Sequence, residues 1–468
     1  MALFYLVNWH DADIRAYTWI IASATVSIFC AVLAHSAFFQ TTTSLLGGKE
    51  YVWVNFVQFL ILWASTQCLL LVFKDGDAVS QTVREAQIGH HEESQSLHQA
   101  GDGEAHAHTV NVPLKAFGTI MAHITGFAGI RCFLSLQVSP GFPFRTSWYM
   151  TVLVIPIFLL MSVLLVKVSR ELRLRWVGDK DKEEEADMLW REQCSESEDD
   201  AVGLSLSSLT CAALRYLISG DLPQLHGTVT GRTSAHVLSL YGVGLLFAVL
   251  VSVATYKLNQ IKQQMLQNPG EEISHYADRM VKTFQIWAGL TMSWCFYFAT
   301  QWCFFTLLEP YEKISHGCAG KLLQAVLVTF CCMLVIFVLD CVGDGSEECK
   351  KAFKGVITAL GLLVGISWEG SFALAVDEIV VNYPKHTLLM KNLLAFMLML
   401  VVLPAWRLYI LPRSDPKIWS YYQGRLPPLM ALCKQWDPVK DYKESKTEKW
   451  RKHAVQQISS STSRRESP

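Results

Sequence analysis

The sequence predicts an all-α, polytopic membrane protein with about ten transmembrane helices. Three observations lead there. Of the 468 residues, 51% are hydrophobic and 17% charged, against roughly a quarter charged in an ordinary soluble domain. Apolar runs of about 20 residues recur along the chain, the length that crosses about 30 Å of hydrocarbon. Lys and Arg gather in alternate connecting segments, as the positive-inside rule requires of a multi-pass protein. The 40 basic residues are balanced by 41 acidic ones. A net charge of −1 excludes a general nucleic-acid binder.

Residues 1–16 are expected to be a short cytoplasmic N-terminus. They have no basic leader, and Asp11 and Asp13 interrupt the apolar stretch too early for a secretory signal. Eight spans follow from apolar length: 17–39, 51–73, 114–136, 147–168, 236–257, 284–308, 321–342 and 387–411. A ninth, 355–378, is apolar but contains Glu369. Nine spans would leave the basic tail, 412–468, on the opposite face from the basic segment around Lys167, Arg170, Arg173 and Arg175. A tenth span at 202–219, rich in small residues and interrupted by Arg215, removes that conflict. Both termini are then cytoplasmic. If 202–219 lay in the interface instead, the count would be nine.

This count divides the chain into a four-span unit (17–168), an acidic linker (169–201), a two-span connector (202–257), a second four-span unit (284–411) and the tail. Local similarities suggest a parallel internal repeat of four spans. Lys115-Ala116-Phe117 opens the third span and Lys351-Ala352-Phe353 the ninth, each followed by glycine-rich apolar sequence. The segment 179–200 is densely acidic and reads as a solvated linker. The tail interleaves Lys and Arg with Trp419, Tyr421, Tyr422, Trp436 and Trp450. That mixture suits a headgroup surface or cytoplasmic protein partners.

Ionisable groups inside spans are costly, by a few kcal/mol on insertion scales, so each is a candidate for function. Glu369 sits between Gly365 and Gly370, and Arg131 lies near the matching end of the third span. With His35, Asn55, Gln58, Arg215 and Gln301 they are expected at one depth in the outer half of the bundle. They would line a shared polar cavity there, or Arg131 and Glu369 would form a buried ion pair. His123 falls deeper, near the middle of its span.

The loop 74–112 is polar and rich in histidine, and His90, His91, His106 and His108 are weak metal-ligand candidates. His-x-His offers at most two ligands locally, whereas a closed zinc site needs four, so no metal or cofactor is expected. Most cysteines fall inside apolar runs and read as small hydrophobes. The chain lacks GxxxxGK[ST], HExxH, GxSxG and the potassium-filter TVGYG, so neither nucleotide hydrolysis nor zincin or serine-hydrolase chemistry is indicated. The expected function is a non-enzymatic transporter or channel-like pathway for a small solute or ion. A scaffold or receptor acting through its cytoplasmic segments, and an intramembrane enzyme acting on lipid, are the alternatives.

Overall fold

The computed structural model describes residues 6–47, 51–74, 112–177, 185–222, 232–267, 272–307, 317–343, 345 and 347–414. Among them there is no strand. Ten long helices follow one another: α1 (Ala12–Leu45), α2 (Val52–Lys74), α3 (Val112–Val138), α4 (Trp148–Val177), α5 (Glu185–Ser219), α6 (Ser234–Gln267), α7 (Glu272–Leu307), α8 (Cys318–Gly343), α9 (Glu347–Val381) and α10 (Thr387–Ala405). A π-helical turn (Trp406–Ile410) and a last short helix, α11 (Leu411–Ser414), continue α10.

Helix ends follow from local chemistry. The Asp11 carboxylate caps α1 by accepting from the backbone N–H groups of Asp13 (2.8 Å) and Ile14 (3.2 Å). Helix α5 stops at Gly220, whose φ of 72° needs a residue without Cβ. Its N–H closes the helix on the Tyr216 carbonyl at 2.8 Å.

The odd-numbered helices form the inside of the bundle. Helix α9 packs on α1, α6, α7 and α8, and α5 packs on α3, α4 and α7. The even-numbered helices lean on the outside and turn large apolar side chains outward, such as Leu160 and Leu164 on α4, Phe330 and Val338 on α8, and Phe396 and Val401 on α10. Exposed apolar belts of that width are what a bilayer covers.

Among the described residues, nine helices are long and apolar enough to cross a membrane. The stretch 202–219, the least span-like by sequence, is the second half of α5 and belongs to one of them. Helix α7, which covers the expected span 284–308, is the long helix outside the nine. The physical reason is its position. Residues 288–295 of α7 are all buried within protein, and its Thr291 and Ser293 hydroxyls are satisfied by the Trp287, Gly289 and Ala359 carbonyls. A helix shielded by its neighbours tolerates polar residues that lipid would penalise.

The acidic segment differs from its expected form. Residues 185–200, expected as a solvated linker, are the first half of α5, and Asp187, Glu198 and Asp199 are buried. Each of these carboxylates has a cationic partner: Lys74 for Asp187, Arg173 and Arg279 for Glu198, and Arg279 for Asp199. Pairing is what makes their burial tolerable.

The glycine-rich helices α3 and α9 have a packing explanation. A Cβ at Gly126 or Gly129 would meet Leu204 or Ser205 of α5 at 2.7 and 2.3 Å. A Cβ at Gly361 or Gly365 would meet Ile21 or Ile28 of α1 at 3.1 and 2.9 Å. Each stripe of small residues lets one helix approach closely. At Gly365 the backbone of Thr25 lies 3.2 Å from the added Cβ and cannot rotate away. Gly365→Val should therefore destabilise the α1–α9 contact by about 1–3 kcal/mol, the usual cost of overpacking. A lowered thermal midpoint in detergent is expected; an unchanged midpoint would show that α1 yields freely.

Candidate functional site: a charged-mouth cavity between six helices

A cavity of about 560 Å3 lies between α1, α3, α5, α6, α7 and α9. Ile28, Phe127, Leu204, Leu290, Leu362 and Ile366 form its apolar wall. Asp200 of α5, Lys282 and Gln285 of α7, Thr255 of α6, and Lys354 and Thr358 of α9 line the rest, with His123 of α3. The volume falls within the range of small-molecule sites, about 300–1,000 Å3, and the mixture of a mostly apolar wall with a few polar groups is also theirs.

Chain position shows which end of the bundle this is. The lining residues fall at 282–290 of α7 and 354–366 of α9, early in each helix. On α6, whose chain reaches this end last, they are Thr255 and Leu258, late in the helix.

The polar groups differ in how they are satisfied. The Gln285 amide donates to the Thr255 hydroxyl at 3.0 Å, and that hydroxyl donates to the Val251 carbonyl at 2.8 Å. The Lys282 ammonium donates to Glu196 at 3.2 Å. Asp200 feels Lys282 and Lys115 electrostatically, together with the like charges of Glu196 and Asp199, yet accepts no hydrogen bond from any described residue. Lys354 makes no ion pair with a described residue, and the buried Nδ1 of His123 has no hydrogen-bond partner among them. Three polar groups therefore face the cavity with hydrogen-bonding capacity unused.

An ion-pair network behind the wall fixes the position of Asp200. Arg173 of α4 donates to both oxygens of Glu198, at 2.5 and 3.2 Å. Gln67 of α2 donates to Glu198 at 3.2 Å and accepts from Arg173 at 2.7 Å. Arg279 of α7 reaches Glu198 at 3.4 Å and Asp199 at 3.2 and 3.0 Å. Four helices are thereby tied together within two residues of Asp200. Bidentate guanidinium–carboxylate geometry is directional, so it sets the rotation of α5 as well as its distance.

The residues singled out from sequence are placed differently. His123 lines the cavity. Glu369, Arg131, His35, Asn55, Gln58, Arg215 and Gln301 do not; most lie toward the other end of their helices, and the structure does not gather them into one cavity. Arg131 sits over the Phe39 ring, 3.4 Å from its centroid, and acts electrostatically on His35, whose ring is 6.4 Å from Phe127. Glu369 has Lys321 of α8 as its charged neighbour. The Lys321 ammonium donates to the Tyr297 hydroxyl at 3.2 Å. Asn55 donates to Ser135 at 3.1 Å, and the Gln58 side chain is buried. Arg215 stacks on Phe298 at 3.7 Å and reaches toward Trp302, next in sequence to Gln301. Asn55 is bonded across to α3 and Arg215 stacks on α7, whereas the buried Gln58 Nε2 and Arg215 Nε have no hydrogen-bond partner among the described residues.

Sequence reasoning missed Asp200, Lys282, Lys354 and Thr358 as site residues. The expected spans begin at 202, 284 and 355, so the first three fell just outside them. One signal was available: no Gly or Pro separates Asp199-Asp200 from the apolar run that follows, so one helix can carry both.

Among the described residues no group of three or more His, Cys, Asp or Glu could hold a metal ion. His90, His91, His106 and His108 lie outside the described residues, as does the tail beyond Ser414. The cysteines described are free, with Cys30, Cys295 and Cys332 buried and Cys68 and Cys331 exposed.

Fold and apolar surface together define an integral, multi-pass helical membrane protein. Comparison with known protein families, with characterised proteins and with solved structures finds no match.

Proposed function

We propose that this protein is a transporter of a small organic solute, with ten membrane spans and the six-helix cavity as its solute site. The observation that supports it most is the cavity itself. It lies between the five inner helices and α6, where a rigid structural bundle would fill the space with side chains, and polar groups with unused hydrogen-bonding capacity face it. A scaffold has no need of such a space.

Ten spans place both termini, and the basic segments between spans, on the cytoplasmic face. The mouth at Lys282 and Lys354 then opens to the cytoplasm. On this reading the cavity lies in the cytoplasmic half of the bundle, not in the outer half expected from sequence.

The test is uptake into liposomes reconstituted with the full chain, across labelled amino acids, sugars, nucleosides and inorganic ions. Thr358→Trp places a large ring in the cavity from an exposed position. At least one organic solute should accumulate above protein-free vesicles, and the variant should reduce that uptake at least about tenfold, the effect of losing roughly 1.4 kcal/mol of binding. Equal uptake by wild type and variant would remove the cavity from the pathway.

A further inference from the structure

We infer that the cavity's ligand is a zwitterion: a soluble molecule with one ammonium group, one acid group and an apolar body. The inference rests on the transporter reading and adds the substrate class.

Two opposite charges face the cavity from different helices. Asp200 extends from α5 and Lys354 from α9. They form no ion pair with each other, and neither has a hydrogen-bonding charged partner among the described residues. The other charges nearby are matched locally. Lys282 is held by Glu196, Arg279 by Glu198 and Asp199, and Arg173 by Glu198. Among the described residues, the lining charges without a hydrogen bond or ion pair are one carboxylate, which also feels Lys282 and Lys115, and one ammonium.

A ligand bearing only a cation would satisfy Asp200 and leave Lys354 beside an apolar body. A simple anion would do the reverse. The exposed Lys354 ammonium is hydrated in the free protein, but a ligand whose apolar body covers it strips that water without replacing it, which offsets the hydrogen bond gained at the other end. A zwitterion alone satisfies both and brings no net charge into the bundle. The walls supply the rest of the selection: Ile28, Phe127, Leu204, Leu290, Leu362 and Ile366 suit a branched aliphatic or aromatic body. The unpartnered His123 nitrogen among these walls offers one hydrogen bond to a polar atom that enters further.

Three probes with one apolar body separate the charges. L-phenylalanine has both groups, 2-phenylethylamine the ammonium only, and 3-phenylpropionate the acid only. Binding to the purified full chain in a maltoside detergent is measured for each. L-phenylalanine should bind at least about tenfold more tightly than either analogue, because a charge-assisted hydrogen bond contributes about 1.5–3 kcal/mol. Asp200→Asn should bring L-phenylalanine to the level of 3-phenylpropionate, and Lys354→Gln to the level of 2-phenylethylamine. Lys354 is exposed, so its substitution leaves folding intact and keeps the test open if Asp200→Asn folds poorly.

Equal binding of all three probes, or binding of none, overturns the zwitterion. A zwitterionic lipid headgroup has the same chemistry. Binding of dihexanoyl-phosphatidylethanolamine without L-phenylalanine would therefore overturn the soluble ligand in favour of lipid. The two readings fail separately. Uptake of another solute that Thr358→Trp blocks, with no charge selectivity among the probes, ends the zwitterion and keeps the transporter. Selective binding of L-phenylalanine without any uptake does the opposite.

Discussion

Glu198→Ala is expected to cost about 3–5 kcal/mol, the penalty for breaking a buried ion pair by removing one partner. Glu198 is 2% exposed and accepts hydrogen bonds from Arg173, Arg279 and Gln67. Its removal leaves the buried Arg173 without a carboxylate and weakens the hold of Arg279 on α5. The cost comes chiefly from the stranded guanidinium, so Arg173→Met combined with Glu198→Leu should be less damaging than Glu198→Ala alone. Thermal unfolding in detergent reads both. A single variant as stable as wild type would mean that water reaches Arg173 and that the network does not bind the four helices. Because Asp200 sits two residues away, Glu198→Gln should also weaken ligand binding even where the fold survives.

Trp406→Ala should be comparably severe, about 3–5 kcal/mol for truncating a fully buried aromatic side chain. Trp406 is 0% exposed and its indole N–H donates to the Ser23 hydroxyl at 3.0 Å. It lies in the π-helical turn that follows Pro404. Next to it, Tyr409 packs edge-on against Trp19 and Arg413 stacks on Tyr409. Helix α10 has otherwise one buried residue, Ala395, so Trp406, followed by the buried Leu411 and Arg413, fastens its end to α1. Loss of Trp406 should free α10 before the rest of the bundle melts. Protease sensitivity near residue 405 should rise ahead of any fall in global stability; a single cooperative transition with no early cleavage would contradict this.

Much of the fold was legible because a bilayer imposes length and polarity on every helix it touches. The outer helices α2, α4, α6, α8 and α10 stand where apolar runs placed them, since their faces are read directly from hydropathy. The first half of α5 was harder: it is shielded by protein, so its polar residues answer to neighbours that are distant in sequence. Glu198 looks like a solvated charge until Arg173 and Arg279 are seen beside it.

The site was less legible than the fold. His123 was recognisable as a polar group in mid-span, and it lines the cavity. Glu369 and Arg131 stood out equally, yet they meet Lys321 and Phe39, because an intramembrane charge attracts attention whether it faces a ligand or a packing partner. Asp200 and Lys354 gave no such signal. Charges at span ends are common, and only the packing of α5 against α7, and of α9 against α6 and α7, turns these two toward one space.

On the transporter reading, the six-helix cavity is a water-filled chamber open at the Lys282–Lys354 end. Labelling of Thr358→Cys with a membrane-impermeant maleimide reads this, in oriented vesicles and in a background where the exposed Cys68, Cys331 and Cys341, together with Cys349 and Cys433, are serine. Rapid labelling from the cytoplasmic face alone is expected, slowed in the Thr358→Cys, Leu362→Trp double variant. Absence of labelling from either face, or labelling from the opposite face at the same rate, would contradict it.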